Sequence, residues 1–230
     1  MNQPERNTAV LIFSQSAARE VASKRLLNNS AGNFQLIRLL QSRVYQTVQI
    51  SGLPFFCTDE LTQIGTSFGE RITNAIQDIF DQGYQRVIAI GNDCPELQPE
   101  DLRFAADQLL KGKCVIGPNI RKGTYLIGLD QSSFIAEEFM ELPWQSNQLL
   151  LKLKAYFDSI KTSVKVLRDL RDLNSFADLK RLLWSCDELK RFCRIIRTLI
   201  QSKTHQAGDL SYFRSLISIG SRQLRAPPIC

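Results

Sequence analysis

The chain has 230 residues, 43% hydrophobic and 9% aromatic, enough apolar material for a substantial core and too much for a disordered polymer. Its net charge of +6 is uneven: residues 1–150 carry 13 Lys and Arg against 16 Asp and Glu, whereas residues 151–230 carry 16 against 7. The apolar runs VLIF, VIAI and LLLKL all fall far short of the roughly 18 residues that a membrane-spanning helix needs, and the polar opening MNQPERNT lacks the pattern of an export signal, so the expectation is a cytoplasmic protein without a transmembrane segment.

The run TAVLIFS (8–14) predicts a buried strand, apolar and β-branched. Helices are expected over 16–27 and 33–49, then a strand at 53–58 (LPFFCT). FGERITNAIQDIFDQG (68–83) sets Ile72, Ala75, Ile76, Ile79 and Phe80 at helical spacing, with Gly83 as the stop. It is the clearest helix in the sequence. RVIAIG follows as a strand, and QPEDLRFAADQLLKG as a helix with Pro99 at its start and Gly112 at its end. Strands at 114–117 and 124–129, a helix over about 145–158 and a strand at 163–167 continue the alternation. Strands separated by helices of this kind predict an α/β fold, with a mainly parallel, Rossmann-like sheet flanked by helices.

After about residue 175 only helical pattern remains. Leu189, Phe192, Cys193, Ile196 and Ile200 form one stripe, while Lys190, Arg191, Arg194 and Arg197 fall mostly elsewhere. This basic helix reads either as a docking face for an anionic partner or as the solvated side of an amphipathic helix packed on its own domain. The tail LRAPPIC cannot continue a helix. The six cysteines, Cys57, Cys94, Cys114, Cys186, Cys193 and Cys230, contain no CxxC pair, and reduced thiols are expected rather than a disulfide or zinc framework.

In open α/β sheets the ligand sits beyond the carboxyl ends of the strands. VIAIGNDCPEL (87–97) places Asp93 two residues past Gly91, where a strand ends, with Pro95 stiffening the turn. A carboxylate there suits a hard cation such as Mg²⁺ or Mn²⁺, which binds one or two carboxylates plus phosphate oxygens and water. The alternative is that Asp93 merely caps the turn or the helix near Pro99. No GxxxxGK[ST] or GxGxxG motif is present, which disfavours P-loop ATPases and dinucleotide oxidoreductases. The one histidine, His205, lies in the polar stretch SKTHQAGD and reads as a loop residue.

Four blocks, IAIGNDCPEL, VIGPNIRKGTYLIGL, LPWQS and LRDLNSFADLKRL, resemble in order and spacing the small transferases described as glycosyltransferases associated with radical-enzyme gene neighbourhoods. These belong to the nucleotide-diphospho-sugar transferase superfamily, of glycosyltransferase A fold. The resemblance spans residues 8–183, leaving 184–230 as a basic helical extension and tail. It implies a nucleotide-sugar or nucleoside triphosphate donor, an unknown acceptor, and Mg²⁺ or Mn²⁺ held by Asp93 with Asp172 or Asn174. It further implies that Asp93 and Asp172 carry the catalytic role, and that Lys24, Arg25 and Arg71 surround the phosphates. Trp144, after Pro143, would line the acceptor pocket or anchor the core, and Glu70 would serve as a base or as a first-turn acid favoured by the helix dipole.

The chain departs from the family pattern at several places. An Asp-Gly pair in the family's G-P-x-x-D-G-G-Y becomes Arg121 and Lys122, ahead of Gly123. Ser67 stands at the Asp of Q-x-x-x-D-L-G-x-R, and Asn174 at the second Asp of D-x-D-T-x-x-D-L. One reading is that Arg121 and Lys122 neutralise diphosphate directly beside a weakened metal site. The other is a fold that has lost catalysis and serves as a binding protein.

Overall fold

In the computed structural model, which describes residues 8–184 and 190–201, TAVLIF is buried along its whole length as strand β1 (Thr8–Phe13). A run without polar alternation fits a strand covered on both faces, and β1 lies inside a six-stranded sheet of order β2-β1-β3-β5-β4-β6. β1 pairs in parallel with β2 (Phe55–Thr58) and β3 (Arg86–Ile90), with Val10 opposite Phe55 on one side and Ile88 on the other. β5 (Thr124–Asp130) runs antiparallel to both β3 and β4 (Cys114–Pro118). β6 (Val164–Val166) is parallel to β4. The sheet is therefore mainly parallel, as expected, with β5 reversed. Because β4 returns to the direction of β1 and β3, the loops after all of these strands emerge at one carboxyl edge.

Eight helices accompany the strands among the described residues: α1 (Ala17–Ser23), α2 (Ser30–Ser51), α3 (Phe68–Asp81), α4 (Pro99–Leu110), α5 (Ala136–Met140), α6 (Leu149–Ser159), α7 (Phe176–Trp184) and α8 (Lys190–Gln201). None is long and apolar enough to cross a membrane. The predicted stripe of α3 is buried, from Ile72 to Phe80. It shares one core with Ala9, Leu11 and Phe13 of β1, Ile127 and Leu129 of β5, and Phe139, Leu153, Tyr156 and Phe157 of α5 and α6. Each such large apolar side chain contributes about 1.5–3 kcal/mol relative to exposure. α4 covers the opposite face: a Cβ at Gly128 would stand 3.3 Å from Leu109, and Gly128 alternates with Ile127 and Leu129.

Contacts divide the chain into two units. The first holds the sheet, with the described residues up to Ser16 and residues 47–172; the second holds 17–46 and the described residues from Leu173 onward. In the second, Leu26 and α2 residues Leu36, Ile37 and Leu40 pack with Leu179 and Leu182 of α7 and Phe192, Cys193 and Ile196 of α8. Arg194 and Arg197 are exposed, and the Arg197 guanidinium donates to the Leu183 carbonyl.

Cys57, Cys94 and Cys114 are free thiols. Cys193, fully buried, is disulfide-bonded, which corrects the expectation of reduced cysteines at that position. Leu189, His205 and the LRAPPIC tail lie outside the described residues.

Candidate functional site

Three loops of the first unit carry most of the sequence-predicted residues. The loop after β3 begins with Gly91, which is exposed and would meet nothing within 4 Å if it carried a Cβ. Neither packing nor a positive φ demands glycine there, so its effect is to leave the space above the strand end open. Asp93 follows, half-buried, between buried Asn92 and buried Cys94. α4 has its own cap: the Gln98 N–H donates to Asp101 Oδ2 at 2.9 Å. Asp101, rather than Asp93, thus supplies the carboxylate at the start of that helix.

The β4–β5 turn is organised by Asn119. Its Oδ1 accepts the N–H of Arg121 at 2.9 Å and of Gly123 at 2.8 Å, and its backbone N–H donates to the Gly123 carbonyl at 3.0 Å. A Cβ on Gly123 would stand 2.8 Å from Asn119 Nδ2, so a side chain there would displace the Asn119 amide from its hydrogen bonds. Lys122 has φ +66°, a left-handed conformation that costs an L-residue about 1–2 kcal/mol. A glycine here would escape that cost. Arg121 and Lys122 are both exposed.

The third stretch follows β6. The Leu167 N–H donates to Ile116 O at 2.8 Å, the Leu170 N–H to Pro118 O at 3.2 Å, and Leu170 O accepts from the Ile120 N–H at 3.2 Å. The segment therefore extends alongside β4 and reaches the turn. There Asn119 Nδ2 donates to Asp172 Oδ2. Burial first, then the charges of Asp172 and Glu96, push the Cys94 thiol well above its ordinary range. Asp172 thus lies within electrostatic reach of the residue next to Asp93.

Arg71 sits in the first turn of α3, with Nη1 donating to Thr66 O at 3.4 Å. Ser67 is the N-cap of that helix: its hydroxyl accepts from the Glu70 N–H at 3.0 Å, and the Glu70 carboxylate accepts from the Ser67 N–H at 3.3 Å. Ser and Asp are about equally good N-caps, and Ser67 fills that structural role here. Glu70 is spent on this box. The Thr66 hydroxyl, then the N–H groups of Thr66 and Ser67, hold its carboxyl below the ordinary range.

Trp144 proves to be an anchor: Nε1 donates to Phe139 O at 3.1 Å, and its ring meets Phe139 and Phe68 at 5.1 and 5.6 Å. A Cβ at Gly69 would fall 2.1 Å from the Met140 carbonyl and 2.9 Å from Trp144, so that glycine serves close packing.

The second unit carries Lys24, Arg25 and Asn174. Lys24 is buried, and its ammonium pairs with Glu20 at 3.3 Å; Arg25 is exposed. Asn174 is exposed, and its N–H donates to Asp178 Oδ2 at 3.2 Å, an oxygen that also accepts the Ser175 hydroxyl at 2.7 Å. The Ser-x-x-Asp of this block is thus a helix cap for α7.

No cluster of three or more His, Cys, Asp or Glu suited to a metal occurs among the described residues. Among the described residues there is thus no full protein cage for a metal ion, and a hard cation held there by one or two carboxylates would need phosphate oxygens and water to complete its shell. Sequence reasoning missed Asn119, Glu96 and Arg168, whose roles depend on partners far away in the chain.

Residues 58–146 match a family model described as an uncharacterised protein conserved in bacteria. No curated protein matches the chain. Among solved structures, a protein provisionally named a nucleotide-diphospho-sugar transferase from Desulfovibrio desulfuricans G20 superposes with a TM-score of 0.72 at 20% identity, covering 87% of this chain and 99% of its own. Rv0371c from Mycobacterium tuberculosis H37Rv matches at TM-score 0.47 and 11% identity, over 79% of this chain and 98% of its own. A 4-diphosphocytidyl-2C-methyl-D-erythritol synthase from Anaerococcus prevotii DSM 20548 gives 0.47 at 10% identity, over 81% and 97%. The chain thus has the nucleotide-diphospho-sugar transferase fold that its sequence motifs resemble.

Proposed function

We propose that this protein is a nucleotide-sugar-dependent glycosyltransferase, binding the donor diphosphate at the carboxyl edge of the sheet between the loop after β3 and the β4–β5 turn. The observation that carries this reading is the Asn119–Asp172 hydrogen bond, because it joins a cationic turn to a carboxylate that acts electrostatically on Cys94, next to Asp93.

In this reading Asp93 and Asp172 hold Mg²⁺ or Mn²⁺, and Arg121 and Lys122 add fixed positive charge toward the phosphates. A divalent cation so held offsets the negative charge that grows on the departing nucleotide. Asn119 fixes the orientation of Asp172, and Gly123 permits the tight turn that presents the two cations. Arg71, at the first turn of α3, contributes positive charge from the same unit. The cationic turn lets part of the neutralisation proceed without metal.

Incubation with labelled UDP-, GDP- and dTDP-sugars and with nucleoside triphosphates tests the reading. Release of a nucleoside diphosphate from a sugar donor is the expected result. Release of pyrophosphate from a triphosphate would reassign the protein as a nucleotidyltransferase of the same fold. An absence of both turnover and donor binding would remove both.

A further inference from the structure

Arg168, Glu96 and Asp101 have no part in the chemistry above, yet they join the two stretches that carry Asp93 and Asp172. We infer that Arg168 is a positioning residue, fixing the separation of these two carboxylates by fastening the segment after β6 to the loop after β3. The inference rests on the donor-diphosphate reading.

The Arg168 guanidinium meets Asp101 with both ends of its fork, Nε to Oδ1 at 3.2 Å and Nη2 to Oδ2 at 3.0 Å, and Nη2 also donates to the Glu96 carbonyl at 3.2 Å. Asp101 Oδ2 is itself fixed by the Gln98 N–H, so the fork grips a preorganised carboxylate. Glu96 closes the connection from the other side, accepting the Arg171 N–H on Oε2 at 3.1 Å, one residue before Asp172. The Arg168 carbonyl, in turn, accepts the Tyr125 hydroxyl at 3.1 Å. Two stretches 67–75 residues apart in sequence are thereby held at fixed register.

A purely structural role would show mainly in stability, and little stability is at stake. The Arg168 side chain is 46% exposed, and ion pairs that exposed typically contribute little to stability. Backbone bonds from Leu167 and Leu170 already hold the segment on β4. What the guanidinium adds is aim, since its rigid fork fixes direction where an ammonium fixes only charge. Groups that orient metal-binding carboxylates typically cost about 10–100-fold in metal affinity when removed.

Calorimetric titration of the full chain with Mn²⁺ together with UDP, GDP or dTDP, alongside unliganded melting curves, tests the inference on wild type, Arg168→Ala and Arg168→Lys. The expected result is about a tenfold or greater weakening for Arg168→Ala, a smaller loss for Arg168→Lys, and unliganded melting within a few degrees of wild type. Should Arg168→Ala fail to fold, Arg168→Lys and Glu96→Gln, which keeps the backbone carbonyl, carry the comparison. Wild-type binding matched by the variants would overturn the positioning role and leave the donor site standing. Failure of wild type to bind any of the three nucleotides with Mn²⁺ would instead overturn the donor-site reading itself.

Discussion

Asn119 donates through its side-chain amide to Asp172, 53 positions away in the chain, while its amide oxygen receives the N–H groups of Arg121 and Gly123. One side chain therefore couples the conformation of the cationic turn to the orientation of a carboxylate. Arg121 and Lys122 make this turn cationic, and Asn119 holds it closed.

Replacing Asn119 should damage stability and binding together. Asn119→Ala removes three hydrogen bonds and is expected to cost about 1–3 kcal/mol in chemical denaturation. Asn119→Asp, of nearly the same size, sets a second carboxylate against Asp172. Its deficit should exceed that of the alanine variant at pH 7 and shrink toward pH 4, where one of the pair protonates.

Lys122→Gly is expected to separate the two properties. Relief of the left-handed backbone, less the entropy that glycine gains in the unfolded chain, should raise stability by about 0.5–1 kcal/mol. Loss of the ammonium should weaken nucleoside diphosphate binding, most visibly at low salt. Paired melting curves and titrations of this one variant check both signs.

Gly69→Ala tests packing away from the charged loops. The added methyl group would collide with the Met140 carbonyl and the Trp144 ring, and backbone cannot yield as a flexible side chain would. A loss of about 1–3 kcal/mol is expected, read from thermal unfolding. Ser67→Asp, by contrast, should melt within about 0.5 kcal/mol of wild type, because both residues cap α3.

The thiols predict a pH dependence. Cys94 titrates above the ordinary thiol range because of burial, then the charges of Asp172 and Glu96, and burial also raises Cys114. Above about pH 8.5 the unfolded chain loses these protons while the folded chain keeps them, so stability falls as pH rises past that point. Cys94→Ala should flatten the alkaline slope. Under native conditions at pH 8, N-ethylmaleimide should label exposed Cys57 and spare Cys94 and Cys114, as peptide mass spectrometry would read.

Much of the fold was legible because burial writes a period into the chain. The stripe of α3 and the unbroken apolar run of β1 both follow directly from what they pack against. α5 escaped notice because five residues are too few to display a helical period. The reversal of β5 was hidden, since an apolar run carries no direction. That Asp93 follows a buried strand was legible, whereas Asn119 looked like an ordinary turn former and Arg168 like one more surface charge. Their partners are 53 and 67 positions away, and only the sheet topology brings them together. Ser67, which stands at the Asp of a motif block, serves as a helix cap, a role that the motif alone does not reveal.

The central claim, that Asp93 and Asp172 mark a donor-diphosphate site, is tested most directly by ligand-induced thermal stabilisation of wild type and Asp93→Asn. With Mn²⁺ present, the matching nucleotide sugar at about 100 times its dissociation constant should stabilise wild type by roughly 2.7 kcal/mol, several degrees for a chain of this size. Asp93→Asn should melt like wild type without ligand and lose most of that gain. Equal stabilisation of both proteins, or of neither by any nucleotide sugar with or without Mn²⁺, would contradict the claim.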